Sequence, residues 1–362
     1  MKVVIMAPGL SPYDAVSNDV IKQRKNLLWS EVRCHVYAEL FEAGAFDFDI
    51  ISKEQLLQLA EEPETLIIYH HAVYWRLGEE ILNTIRCPVV MKYHNITPAG
   101  FFRKYDRDNY HATLAGSSQT RRLIEMPHMV RFIGASAFNV RDLVRLGVPP
   151  EKTGVIAPYH CIEEFKQATI NPTLHAELEG NDLSILFVGR VVPNKGFEHL
   201  IRVINRYVEI YGTGISLNIV GSLARQDPRY NRKLQRLVNR YKLGSVINFR
   251  GKVGLNDIHT LYRYSDVFLL MSEHEGFCVP ILEAQSLGLP VVALNRCAVP
   301  ETLGEEQILL NEPDPDAFAA AINRVGHDKT LRAYLASQGR RNVSRFSEAN
   351  LSRQNLEMLR SL

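Results

Sequence analysis

The chain has 362 residues, 46% of them hydrophobic and 23% charged, the profile of a soluble globular protein with room for two or three domains. Its 42 lysines and arginines nearly balance 40 aspartates and glutamates, giving a formal net charge of +2, which argues against a surface adapted as a whole to nucleic acid or another polyanion. Residues 1–165 carry 18 basic and 20 acidic side chains and residues 166–362 carry 24 and 20, so any anion site must be local.

The first apolar run, residues 3–7, is ended by Pro8-Gly9 before it reaches the length of a signal-peptide core, and reads as a buried strand. Further runs rich in Val and Ile at 36–38, 66–69, 89–93, 130–133 and 155–157 complete a first set of predicted strands. A second set falls at 185–188, 217–220, 247–249, 267–270 and 291–293. These runs are continuous rather than alternating, as expected of parallel sheets covered on both faces. Helical periodicity predicts helices over 19–29, 79–85, 137–146, 197–210, 229–241, 281–287, 316–325, 331–345 and 351–359. The repeated strand–helix order is that of an α/β protein. It breaks at a polar, weakly periodic stretch, 158–182, which marks a boundary between a domain of residues 1–165 and one of residues 166–345, leaving 346–362 as a C-terminal helix that returns to the first domain.

Five scattered cysteines (Cys34, Cys87, Cys161, Cys278 and Cys297) form no CxxC pair, which fits a reducing cytoplasm and speaks against a disulfide framework or a structural zinc site. No stretch approaches the 18 or so apolar residues of a membrane span. Three Asn-x-Ser/Thr triplets, at Asn95, Asn342 and Asn350, are read as chance.

Two segments carry chemistry. Val188-Gly189-Arg190-Val191-Val192-Pro193-Asn194-Lys195-Gly196-Phe197 follows a predicted buried strand and opens a helix. Ligands collect beyond the C-terminal ends of parallel strands, helix N-termini favour anions, and Arg190 and Lys195 add a fork and a point charge suited to a diphosphate. A turn with two solvated cations is the plainer alternative. The second segment, Ser272-Glu273-His274-Glu275-Gly276-Phe277-Cys278-Val279-Pro280-Ile281-Leu282-Glu283, also follows a predicted strand. A carboxylate accepts a hydrogen bond on each oxygen and so suits a sugar diol, while helix-start glutamates also complement a macrodipole. The latter explains Glu283 but not Glu275, which precedes the helix.

Together these segments resemble a family 4 retaining glycosyltransferase of the GT-B type. The resemblance rests on Gly189-Arg190…Asn194-Lys195-Gly196, Phe249-Arg250-Gly251-Lys252-Val253, Leu261-Tyr262-Arg263-Tyr264-Ser265-Asp266-Val267, Glu275…Glu283, Gly288-Leu289-Pro290-Val291-Val292-Ala293 and Val299-Pro300-Glu301, in family order. It implies an α/β GT-B fold, two Rossmann-like domains with parallel sheets facing across a cleft. It also implies a hexosyltransferase that uses a UDP- or GDP-sugar and transfers to a glycan or lipid-linked acceptor, in bacterial surface polysaccharide or glycoconjugate synthesis, with no metal or other cofactor.

By the same resemblance Arg190 and Lys195 stabilise the leaving diphosphate, Glu275 holds the hexose hydroxyls and Glu283 the ribose. His94, in Met91-Lys92-Tyr93-His94-Asn95, approaches the donor sugar; a hydrogen-bonded core histidine is the alternative. Gly9, Gly189, Arg250, Gly251, Val253, Gly276, Phe277, Cys278 and Val279 complete the expected donor contacts. Two departures stand out. The family's Gly-Gly after the first strand is replaced by Pro8-Gly9-Leu10-Ser11-Pro12, with Ser17 or Asn18 expected to cap the following helix, and its Glu-Gly-Phe-Gly becomes Glu275-Gly276-Phe277-Cys278.

The remaining features take plain readings. His70-His71 would point to opposite faces of a strand and make poor joint metal ligands. The Asp-x-Asp triplets at 47–49, 106–108 and 314–316 read as solvated or turn carboxylates. Cations and apolar residues alternate over 21–29, which would suit peripheral contact with the inner face of a membrane, although a helix with one packed and one solvated face explains the pattern as well. No nucleic-acid partner is expected. A catalytically silent nucleotide-sugar-binding protein of the same fold is the rival function. A dinucleotide oxidoreductase fits worst, because neither domain opens with Gly-x-Gly-x-x-Gly.

Overall fold

The run at 3–7 lies inside β1 (Lys2–Leu10), where Val3 to Ala7 are completely buried. The chain continues through α1 (Ala15–Trp29), β2 (Arg33–Phe41), α2 (Lys53–Glu61), β3 (Thr65–His71), α3 (Arg76–Thr84), β4 (Val89–Tyr93), α4 (Arg107–Leu123), β5 (Met129–Gly134), α5 (Ala137–Arg145) and β6 (Thr153–Val155). Then follow α6 (Ile162–Lys166), α7 (Pro172–Glu179), β7 (Leu183–Val188), α8 (Phe197–Tyr211), β8 (Ile215–Val220), α9 (Arg229–Arg240), β9 (Ile247–Gly251), α10 (Leu255–Tyr264), β10 (Val267–Leu270) and α11 (Val279–Ser286). The last elements are β11 (Val291–Leu294), α12 (Val299–Leu303), β12 (Ile308–Leu310), α13 (Pro315–His327), α14 (Lys329–Ser344) and α15 (Glu348–Arg360). This computed structural model describes residues 1–12, 14–223 and 228–362.

The chain divides into two compact units. One holds Met1–Gly100, Asp108–His160 and Phe346–Leu362, and the other holds Phe101–Arg107 and Cys161–Arg345. Each is a parallel sheet flanked by helices, as the continuous apolar runs predict. The polar stretch at 158–182 is less irregular than its composition suggests, because it contains α6 and α7, the latter started by Asn171, whose side chain accepts from the N–H groups of Thr173 and Leu174.

In the first unit the strand order is β2-β1-β3-β4-β5-β6. Alternation along each strand sorts the side chains into two cores. Val4, Met6, Ile67, Tyr69, Val89 and Met91 pack with Leu56, Leu82, Leu123 and Leu143 of α2 to α5. Val3, Ile5, Ile68 and Val90 pack with Val20 and Leu27 of α1 and Met358 and Leu359 of α15. This parity decides where the polar residues of β3 and β4 go. His70 and Lys92, which are register partners, share the α1 face, whereas His71 lies on the opposite face. The seam between α1 and α15 is polar: Asn26 Nδ2 donates to Glu348 Oε1 at 2.9 Å, and Ser352 Oγ donates to Asn26 Oδ1 at 2.5 Å.

In the second unit the order is β12-β11-β10-β7-β8-β9. Ile185, Leu186 and Phe187 of β7 are completely buried, with the Phe187 ring edge-on to Phe197 at the start of α8. The short strand β12, absent from the predicted set, pairs with β11 at the sheet edge.

Candidate functional site

In a parallel sheet the chain winds outward in two directions from a switch point, and the helices that diverge there leave a crevice above the strand ends. In the second unit β7 leads to β8 on one side and has β10 on the other, so the switch point lies between β7 and β10. The loops that follow these two strands are the two segments singled out from the sequence. They meet directly: Lys195 Nζ donates to Glu275 Oε1 at 2.6 Å, with the Glu275 carboxylate buried. Asn194 fastens the loops further. Its side chain donates to the carbonyl of His274 at 3.2 Å, and its own carbonyl accepts from the N–H of Glu273 at 2.9 Å.

Glycine is required where the loops press together. Gly196 has φ +69°, and a Cβ there would lie 1.9 Å from the carbonyl oxygen of Met271, just past β10. The loops after β8 and β9 join the group, since Gly189 N–H donates to the Val220 carbonyl at 2.9 Å and Gly221 N–H to the Gly251 carbonyl at 2.8 Å.

Gly276, Phe277, Cys278 and Val279 form the entry to α11, tied down by the Thr302 hydroxyl, which donates to the Phe277 carbonyl at 2.5 Å. Cys278 sits at φ +82°, a left-handed conformation that costs a side chain about 1–2 kcal/mol and accounts physically for the family's glycine here. Burial pushes its thiol well above the ordinary range, so it is not a thiolate. Glu283, on α11, is half-buried and accepts from Tyr262 Oη at 2.7 Å; burial raises its carboxyl, and the tyrosine bond opposes that. Arg190 is exposed above β7. Arg250 does not stand open to a ligand: its Nε donates to Asn218 Oδ1 at 2.9 Å and its two terminal nitrogens grip Glu177 of α7. Val253 lies half-buried just after β9.

The switch point of the first unit lies between β1 and β3, and it too carries a polar cluster. Asp19 of α1 is completely buried, and Lys92 Nζ lies 2.8 and 2.7 Å from its two carboxylate oxygens. The Tyr159 N–H adds a bond of 2.8 Å to Oδ1. Burial raises the Asp19 carboxyl against the pull of Lys92. His70 Nδ1 and His94 Nε2 lie 3.0 Å apart, and 3.7 and 3.6 Å from Asp19 Oδ2.

One atom from each of Asp19, His70 and His94 falls within 4.8 Å of the others, a set that could hold a metal ion. Lys92, however, already supplies positive charge to both Asp19 oxygens and the imidazoles bond to each other, while Asp19 Oδ2 accepts no hydrogen bond among the described residues. His71, on the other face, bonds Tyr69 Oη at 3.2 Å and Thr120 Oγ1 at 2.8 Å. Sequence reasoning reached His94 but missed Asp19, Lys92 and Gln23, whose signal was polar residues on the sheet-facing side of a helix and a lysine inside an apolar strand.

Gly9 differs from expectation. The strand runs on through it to Leu10, pairing Gly9 with Leu40, so it is not in a loop. The cap of α1 is Asp14, not Ser17 or Asn18; its side chain accepts from Ser17 N at 3.0 Å and already places a carboxylate at the helix N-terminus. In the 21–29 stretch Lys22, Gln23 and Asn26 are buried while Lys25, Leu28 and Trp29 are exposed, the division of a helix with one packed face. Among the described residues no helix is long and apolar enough to cross a membrane.

Comparison with known proteins places this geometry. Residues 175–342 match the family described as glycosyl transferases group 1. The chain is 28% identical over 182 residues to a phosphatidylinositol N-acetylglucosaminyltransferase subunit of Arabidopsis thaliana, covering 50% of this chain and 38% of that protein. It is also 28% identical over 230 residues to O-antigen chain mannosyltransferase B of Escherichia coli, covering 63% and 59%. The chain thus spans about half the length of the curated relatives it matches. Among solved structures it resembles Anabaena HepE in complex with UDP-glucose, with a TM-score of 0.77 at 19% identity over 100% of both chains. That likeness shows the fold, which is GT-B: two Rossmann-like units, each a parallel sheet flanked by helices.

Two expectations follow from the first unit's cluster. Lys92→Met strands a buried carboxylate and lowers stability by about 3–5 kcal/mol in urea unfolding, and adding Asp19→Asn recovers most of the loss. A loss of under about 1 kcal/mol would contradict the pairing. Burial also holds His70, His71 and His94 far below the ordinary histidine range, the last two at about 3. Near pH 5 the unfolded chain binds protons that these folded imidazoles refuse, so their contribution is present above the unfolded value and is lost as pH falls below it. The rise in stability from pH 5 to 6.5 should therefore flatten by about 1 kcal/mol per pH unit in His71→Gln; an unchanged slope would contradict the burial.

Proposed function

We propose that this chain is a retaining hexosyltransferase that moves a hexose from a UDP- or GDP-sugar to a glycan or lipid-linked acceptor, in the synthesis of a surface polysaccharide or glycoconjugate. The observation that carries this reading is the Lys195–Glu275 pair at the switch point of the second unit, inside the segment that matches the glycosyl transferases group 1 family. The relatives named above support it, since their names record transfer of N-acetylglucosamine and of mannose, and HepE was solved with UDP-glucose.

As the bond from sugar to diphosphate breaks, positive charge grows on the sugar ring and negative charge on the departing diphosphate. In this reading Lys195 and Arg190 meet the negative charge where it develops. The donor's phosphates draw the Lys195 ammonium from Glu275, which frees that carboxylate to accept from hexose hydroxyls. Glu283, with Oε2 held by Tyr262, offers its other oxygen to the ribose, and the N–H groups at the start of α11 lie in the same loop as Glu275. His94 contacts the transferred sugar. The acceptor attacks on the face the diphosphate leaves, so the anomeric configuration is retained without a carboxylate nucleophile.

A thermal-shift panel of nucleotides and nucleotide sugars, followed by donor turnover, tests the reading. A uridine or guanosine diphosphate sugar should stabilise the chain, and Lys195→Ala and Glu275→Ala should each lower donor turnover by about 10²–10³ while the fold is retained. No stabilisation by any nucleotide would overturn the function, and turnover equal to wild type in both variants would overturn the site.

A further inference from the structure

The hydrogen bonds that lead from α15 to His94 can run in only one direction. Asn355 Nδ2 donates to the backbone carbonyl of Leu351 at 2.9 Å, and a carbonyl cannot donate, so Asn355 presents Oδ1 to Gln23. Gln23 Nε2 donates to that oxygen at 2.8 Å, which turns Gln23 Oε1 toward His70 Nε2 at 3.0 Å. That nitrogen must therefore carry the proton of His70, and Nδ1 is left as a lone pair. His94 Nε2 stands 3.0 Å from this lone pair and must donate to it. His94 then carries its proton on Nε2 and its lone pair on Nδ1. Every link but the His94 ring belongs to a buried residue, and the rings of His70 and His94 stack with centroids 5.1 Å apart, which restricts rotation.

We propose that Gln23, His70 and Asn355 are positioning residues that fix His94 as the neutral Nε2–H tautomer, so that its Nδ1 accepts a hydrogen bond from a hydroxyl of the transferred sugar. The sugar contact rests on the transferase reading; the tautomer does not. Desolvation, reinforced by the Lys92 charge and opposed by Asp14, keeps His94 neutral near pH 7. A metal held by His70 Nδ1 and His94 Nε2 would need a lone pair on both atoms and would break the bond between them. In the relay only one of the two is a lone pair.

Long-range ¹H–¹⁵N NMR of the full, ¹⁵N-labelled chain reads the tautomer directly. In the wild type His94 Nε2 should show the shift of a protonated nitrogen and Nδ1 that of a bare one; the reverse assignment overturns the proposal. Gln23→Leu removes the acceptor for His70 and should give a mixed tautomer at His94. Donor kcat should fall about tenfold in Gln23→Leu with KM changed by less than about twofold. A mixed tautomer with unchanged kcat overturns the positioning role. Should Gln23→Leu fail to fold, Asn355→Leu breaks the next link and should give the same two signatures. A wild type that turns over no nucleotide sugar removes the sugar contact together with the transferase reading, whereas the NMR comparison still decides the tautomer.

Discussion

Parallel sheets wound in two directions leave their chemistry little choice of place. Above the strands on either side of a switch point the connecting helices diverge, and side chains from neighbouring loops can converge there without displacing a core. This chain has one such point in each unit, between β7 and β10 and between β1 and β3. At the first, Lys195 and Glu275 come from loops 80 residues apart and meet at 2.6 Å. At the second, Asp19 follows β1, His70 lies next to the last residue of β3 and His94 follows β4. The candidate residues are where they are because the strand order puts them there.

Charge is handled oppositely at the two places. In the first unit it is neutralised internally: Asp19 is completely buried, Lys92 lies against both of its carboxylate oxygens, and the Tyr159 N–H donates to Oδ1. Such a pair adds little net stability but punishes loss of either partner, which makes it a rigid frame for the histidines beside it. In the second unit cationic charge stays accessible, with Arg190 exposed and Lys195 partly so. A net charge of +2 over the whole chain is compatible with both, because each arrangement is local.

Much of the fold was legible in the sequence because strands covered on both faces are apolar without interruption; the runs so predicted lie in strands, except that 155–157 meets β6 only at Val155. What was missed has physical reasons. Helix α4, 17 residues long, meets the rest of its unit through Gly116, Gln119, Thr120 and Leu123, so it shows no apolar stripe. Strand β12 has only three residues. At the candidate site Lys195 and Glu275 were legible because glycines and charges cluster after apolar runs. The bond between them was not, since it joins residues 80 positions apart. Asp19 and Gln23 were missed for a related reason: polar residues on the sheet-facing side of a helix disclose their role only through partners, and theirs lie on β4, β3 and α15. Arg250 shows the opposite case, a cation in a family motif that folding commits to Glu177.

In the proposed function the Lys195–Glu275 pair seats a nucleoside diphosphate. A crystal structure of the full chain with UDP or GDP tests it most directly. Diphosphate oxygens should lie within hydrogen-bond distance of Lys195 Nζ, with the contact to Glu275 lengthened or opened. A nucleotide bound elsewhere, with Lys195 still closed on Glu275, would contradict it.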